Sequence, residues 1–205
     1  MEITIDTSEI CLEFKISIAK YISDVDVLSV LAKDKDYNVR QAVAWNDNTS
    51  TEILAILAKD VDDWIRQSVA ENDNTSVETL TILAKDEEDH VRQAVAKNSN
   101  TSVETLTLLA EDEDGKVREA VADNSNTSIE TLDKLAEDKF SEIREAVAWN
   151  SSTSVESLTK LIEDKSPMVR RAVVFNPHTS TKLLSKLVED ENSLVRDVAT
   201  HHLQR

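Results

Sequence analysis

Apolar and polar positions along this chain recur with a period of 26 residues and no slippage. A Val/Ile-Arg dipeptide marks the phase: Val39-Arg40, Ile65-Arg66, Val91-Arg92, Val117-Arg118, Ile143-Arg144, Val169-Arg170 and Val195-Arg196. Counted from the hydroxyl residue that opens each unit, seven units span 23–48, 49–74, 75–100, 101–126, 127–152, 153–178 and 179–204, after a distinct segment 1–22. Such a period means a stacked array, because a unit this short cannot bury its own apolar face.

Each unit predicts two helices. The first carries Leu three residues apart, as in Leu54/Leu57, Leu80/Leu83 and Leu106/Leu109, with Ala58, Ala84 and Ala110 alongside. That spacing turns one apolar stripe inward over about 9–10 residues, short enough to be partly 3₁₀. Thr49/Glu52, Thr75/Glu78, Thr101/Glu104, Thr127/Glu130 and Thr153/Glu156 predict capping boxes, with the Thr hydroxyl accepting a helix amide and Glu reaching back. Ser23/Asp26 is a weaker box, and Thr179/Lys182 breaks the pattern because Lys cannot accept a hydrogen bond. The second helix has Val/Ile before the Arg and Ala and Val after it, as in Val91, Ala94 and Val95. Asn46, Asn72, Asn98, Asn124, Asn150 and Asn176 are expected to end it by turning left-handed, in a chain with a single Gly; His202 replaces them in the last unit.

In residues 1–22, Asp6 to Glu9 reads as a capping box, and Ile10, Phe14, Ile18 and Ile22 recur every four residues. That favours a helix covering the open end of the stack. The alternation Ile10, Leu12, Phe14, Ile16 also fits a strand, but nothing else in the chain offers a strand to pair with. The expected architecture is all-α: a capping segment over residues 1–22, then a seven-repeat α-solenoid over 23–205.

Residues 80–104 carry a pattern that closely resembles the leucine-rich repeat variant family: Leu80, Leu83, Ala84, Asp86, Val91, Arg92, Ala94, Val95, Ala96, Asn98, Asn100, Thr101 and Glu104. The resemblance recurs across 23–205. It implies a right-handed superhelix in which α-helices alternate with α or 3₁₀ helices. HEAT-like arrays are the near alternative, with longer units of about 40–47 residues. The family includes a protein with a cysteine-rich iron–sulfur segment before its repeats. Here Cys11 is the only cysteine, so the resemblance carries the fold and not the cluster.

Composition narrows the function classes. Forty acidic residues against 23 basic ones give a formal net charge of −17, which repels phosphate backbones and anionic lipid. Nucleic acid and membrane are therefore poor partners. One cysteine permits no intrachain disulfide. The start, Met1 to Asp6, lacks the features of a secretory signal, and the longest apolar run, Ile53 to Ala58, is far too short to span a bilayer. These features point to a soluble, cytoplasmic protein. The array stops at a unit boundary, without an obvious polar cap, as a piece of a longer chain would.

Chemistry-bearing clusters are scarce. An Asp column (Asp34, Asp60, Asp86, Asp112, Asp138, Asp164, Asp190) precedes the Arg column (Arg40, Arg66, Arg92, Arg118, Arg144, Arg170, Arg196) by six residues. Its recurrence in every unit reads as a framework ladder, each Arg neutralising an Asp of its own or the next unit. The Asn/Thr/Ser loops read as turn and cap chemistry rather than calcium sites. His90, His178, His201 and His202 form no zinc motif or catalytic triad, and the single Gly115 excludes a Gly-rich phosphate loop. No metal, cofactor or enzymatic activity is expected.

The informative columns are the variable ones. Positions two before, one after and five after the Arg share a face of the second helix. All three tryptophans fall there: Trp45, Trp64 and Trp149, together with Met168, Arg171 and Phe175. Aromatic and Arg side chains on a polar face are the usual anchors of a protein interface, although Trp45, Trp149 and Phe175 can equally pack on the next unit. The sequence thus favours a non-enzymatic scaffold that binds a protein or peptide of basic character. Two alternatives stay open: an acidic mimic of DNA that occupies a DNA-binding protein, and a stable array with no specific partner.

Overall fold

The computed structural model describes residues 11–204, and within them it contains fifteen α-helices and no strand. The chain is an α-solenoid that divides after Ser102 into two units. In the first unit, α1 (Leu12–Tyr21) precedes three helix pairs: α2 (Val25–Leu31) with α3 (Tyr37–Ala44), α4 (Thr51–Leu57) with α5 (Asp63–Glu71), and α6 (Val77–Leu83) with α7 (Asp89–Lys97). In the second unit, α8 (Val103–Leu109), α10 (Ile129–Leu135), α12 (Val155–Leu161) and α14 (Thr181–Leu187) alternate with α9 (Gly115–Asp123), α11 (Ser141–Trp149), α13 (Pro167–Phe175) and α15 (Ser193–Leu203).

Second helices stack on one another: α1 on α3, α3 on α5 and α5 on α7 in the first unit, and α9 through α15 likewise in the second. Their contact column is Ala or Val, which lets neighbouring backbones approach closely. Ala44, Ala70 and Ala96, and Ala122, Ala148 and Val174, are fully buried. The paired leucines of the first helices close the other side of the core, from Leu28 and Leu31 to Leu184 and Leu187.

Both helix types are α, including the short first ones. Tighter i→i−3 bonds lie at helix ends, as in Lys59 N–H to Ile56 O (3.1 Å) and Asp60 N–H to Leu57 O (3.0 Å) after α4, and Asn72 N–H to Val69 O (3.2 Å) after α5. The possible 3₁₀ character is therefore limited to a closing turn, which uses up carbonyls that the ended helix leaves orphaned.

The caps differ from the sequence expectation by one residue. Ser50, Ser76, Ser128, Ser154 and Ser180 are the N-caps, each accepting from the amide three residues on. The preceding Thr, buried except for the half-buried Thr179, donates backward instead: the Thr49 hydroxyl binds Val43 O at 2.6 Å, and Thr127 binds Val121 O at 2.6 Å. The same Thr faces a helix-end carbonyl that has acceptor capacity to spare, so its hydroxyl is used as a donor. The Glu of the expected box then sits at the second helical position, where the Glu52 carboxyl takes hydrogen bonds from the Ser50 hydroxyl and its own amide and is lowered from its ordinary pKa.

The asparagines also work differently. Among the described residues none outside glycine has a positive φ, and Asn72, Asn98, Asn124, Asn150 and Asn176 end their helices in extended conformations. Their side chains join neighbouring repeats. Asn72 Nδ2 donates to Ala44 O (2.7 Å) and Asn46 O (3.2 Å), while its Oδ1 accepts from the Asn74 amide (2.8 Å). Asn98 repeats this toward Ala70 and Asn72, and Asn150 and Asn176 do so in the second unit. An amide offers two donors and an acceptor at one point, which a glycine terminator cannot.

Helix α1 occupies the place of a second helix ahead of the first repeat. Asn46 Nδ2 donates to Ala19 O and Ile22 O, both at 2.8 Å, and Lys15 Nζ lies 2.8 Å from Asp34 Oδ2. The helix reading of this segment matches α1; the expected box Asp6–Glu9 lies outside the described residues.

Candidate protein-binding face

The face in question is opposite the buried Val/Ile-Ala-Val stripe of the second helices. On α11, for example, Ile143, Ala146 and Val147 are buried while Glu142 and Trp149 point outward. Helical geometry fixes this division, since positions three and four apart share a face. The residues singled out by sequence all lie on it. Trp45, Trp64, Trp149, Met168 and Phe175 are exposed, Trp64 at 57% and Phe175, the least, at 37%. Arg171 is half-buried.

Side chains at the same column of successive repeats meet. In the first unit Trp64 stacks on His90, with ring centroids 5.0 Å apart and planes at 28°. In the second, Trp149 stacks on Phe175 at 5.2 Å and 12°. Phe175 also receives His202 edge-on at 6.3 Å and the Arg171 guanidinium 5.8 Å from its centroid. Trp149, Phe175, Arg171 and His202 thus form one aromatic–cationic cluster. Trp45 stands half-exposed just after α3, and Met168 is exposed on the first turn of α13. The stacked rings therefore pack on the adjacent repeat and still present about half of their surface to solvent.

The Asp and Arg columns lie at the edge of the stack as a ladder between repeats. Arg40 grips Asp60 of the next repeat through Nε to Oδ2 (2.6 Å) and Nη2 to Oδ1 (3.0 Å). Arg66–Asp86, Arg118–Asp138, Arg144–Asp164 and Arg170–Asp190 do the same, with Nε to Oδ2 at 2.6–2.7 Å. Each Nη1 also donates to the backbone carbonyl of the Asp in its own repeat, including Arg92 to Asp86 O, Arg118 to Asp112 O and Arg196 to Asp190 O. Asp34, with no Arg ahead of it, pairs with Lys15. Burial acts to raise the carboxyls of Asp60, Asp86, Asp138 and Asp164, but the Arg hydrogen bonds and backbone amides outweigh it, leaving all four below the ordinary carboxylate value. At Asp190 the Arg170 hydrogen bond is itself the leading cause of the lowering.

Sequence reading missed three features of this surface. The Asn amides bridge repeats, Lys15 substitutes for an arginine, and His90 meets carboxylates of its own and the preceding repeat. The signal for the last was a separation of 27 residues between Asp63 and His90, one period plus one.

The family model described as leucine rich repeat variant matches residues 89–114. A solved structure described as a leucine-rich repeat variant with a novel repetitive structural motif matches with a TM-score of 0.73 at 29% identity, covering 96% of this chain and 78% of the other. The repeats are similar to leucine-rich repeat variants. In fold alone the chain also resembles the Escherichia coli protein YIBA (TM-score 0.55, 19% identity, 94% of this chain and 82% of that one). An engineered protein matches with a TM-score of 0.51 at 17% identity, over 93% of this chain and 72% of that one. No curated protein matches the sequence. Among the described residues, no helix is long and apolar enough to cross a membrane.

Proposed function

We propose that this leucine-rich repeat variant array is a non-enzymatic scaffold that binds a protein or peptide through the outer face of its second helices. The anchors are Trp45, Trp64, Trp149, Met168, Phe175 and Arg171. The observation that carries this reading is that Trp149 and Phe175 are stacked, and so held rigid, while remaining 49% and 37% exposed. Preorganised aromatic surface loses little side-chain entropy on binding, which is why such residues dominate interface energetics. The surrounding charge favours a basic partner: Glu142, Glu145 and Asp123 share this face in the second unit, within a chain of net charge −17. Residues 1–22 act as the N-terminal cap of the array in this reading, and the Asp–Arg ladder serves as framework, not as a binding site.

The test is capture of partners at physiological salt by wild type and by Trp64→Ala and Trp149→Ala/Phe175→Ala variants of verified fold. Loss of a captured partner with the variants supports the face. Retention by all variants, with loss at raised salt, would instead favour an acidic mimic of DNA, whose binding must be screened away.

A further inference from the structure

In the first unit, three ligand-type side chains converge beside Trp64. Asp63 opens α5, Glu88 is the N-cap of α7 and His90 lies in its first turn; one ligand atom from each falls within 4.8 Å of the others. Nε2 of His90 is 2.9 Å from Asp63 Oδ2, yet it is buried without a hydrogen-bond partner. At that separation the missing bond is a matter of angle rather than of distance. Glu88, although an N-cap, makes no side-chain cap bond, so its carboxylate is not engaged at the helix end. Asp36, Asp62 and Asp114 occupy the equivalent cap positions and do bond the helix amides. Trp64 stacks on the imidazole and fixes its plane.

We propose that Asp63, Glu88 and His90 bind a divalent transition-metal cation of the zinc class. One imidazole nitrogen and two carboxylate oxygens are a donor set suited to zinc, copper or nickel, and three protein ligands leave a position for water. Bonds of about 2.0–2.1 Å place tetrahedral ligand atoms roughly 3.3 Å apart. Asp63 and His90, at 2.9 Å, need open only slightly to reach that spacing, and the exposed, flexible Glu88 side chain closes the remainder. The ligands come from two successive repeats, so the ion would join α5 to α7. No other repeat carries the trio, because the His90 column reads Asn38, Trp64, Lys116, Glu142, Met168 and Leu194 elsewhere.

The experiment is calorimetric titration of the full chain with Zn²⁺ alone, and separately with Mg²⁺. Wild type should bind one Zn²⁺ per chain, with no comparable event for Mg²⁺. Asp63→Asn and His90→Gln should each weaken binding by about tenfold or more, the loss that removing even an outer-shell partner commonly causes. Glu88→Gln should weaken it as well, and it leaves the Trp64–His90 stack in place. A His178→Gln/His201→Gln/His202→Gln variant should bind as wild type, separating this site from chelation elsewhere. Unchanged binding in Asp63→Asn and His90→Gln, equal binding of Mg²⁺, or no saturable Zn²⁺ binding would overturn the proposal. As a second readout, Trp45→Phe/Trp149→Phe leaves Trp64 as the sole tryptophan. Its fluorescence should be quenched by stoichiometric Cu²⁺, and no longer so once His90→Gln is added.

Discussion

At the scale of single residues, the asparagine at the end of a second helix ties its repeat to the one before. Asn72 is 7% exposed and satisfies two carbonyls of the preceding repeat. Asn72→Ala strands Ala44 O in the interior, and a buried acceptor left unmatched costs about 1–3 kcal/mol. The expected result is a lowered denaturant midpoint with an unchanged m-value; a midpoint within error of wild type would reduce the amide to decoration. Trp64 behaves oppositely. Its loss removes a stacked contact worth about 0.5–1.5 kcal/mol and opens no cavity, since the ring lies on the surface. Trp64→Ala should therefore retain its fold by circular dichroism with only a small drop in melting temperature. Position within a repeat marked both residues in the sequence, but their roles were less legible there. Asn reads as a helix terminator because nothing local reveals a carbonyl 28 residues earlier.

At the scale of elements, the first helices are too short to persist alone and owe their form to leucine burial. Leu106 of α8 is fully buried, so Leu106→Ala should cost about 2–5 kcal/mol. Helix α1 has a subtler part. It supplies carbonyls to buried Asn46 and an ammonium to Asp34. Removing residues 1–22 takes away the partners of Asn46 Nδ2 and Asp34 Oδ2 at the end of a stack whose repeats depend on their neighbours. Hydrogen exchange should then quicken in α2 and α3 while α7 stays protected; uniform protection would show that α1 caps nothing. The helical periodicity of this segment was readable in Ile10, Phe14, Ile18 and Ile22. Its place in the stack was not, because that depends on pairing with Asp34 and Asn46.

At the scale of the whole molecule, two electrostatic effects oppose each other. A net charge of −17 makes the folded chain repel itself, and acid relieves that. The ladder carboxyls have folded pKa values below their unfolded ones, so their contribution is full above about pH 4 and is lost as pH falls through the folded values. The melting temperature should hold from about pH 7 to 5 and fall below about pH 4. Replacing one rung, as Arg40→Ala/Asp60→Ala, should shrink that fall, and an equal fall in both proteins would deny the ladder its part.

The sequence by itself determined the repeat, the two helices of each unit, the leucine core and the outward column of tryptophans. These follow from spacing within about one helical turn, which the chain fixes locally. Only the tertiary structure decided the partners: that Thr donates backward while Ser caps, that Asn binds the preceding repeat, that Arg40, Arg66, Arg118, Arg144 and Arg170 reach the Asp of the following repeat, and that Asp63, Glu88 and His90 come together. The Asn, Arg and His90 pairings join neighbouring repeats and exist only once those repeats pack, whereas the Thr and Ser roles are local and are decided by which hydroxyl the core buries.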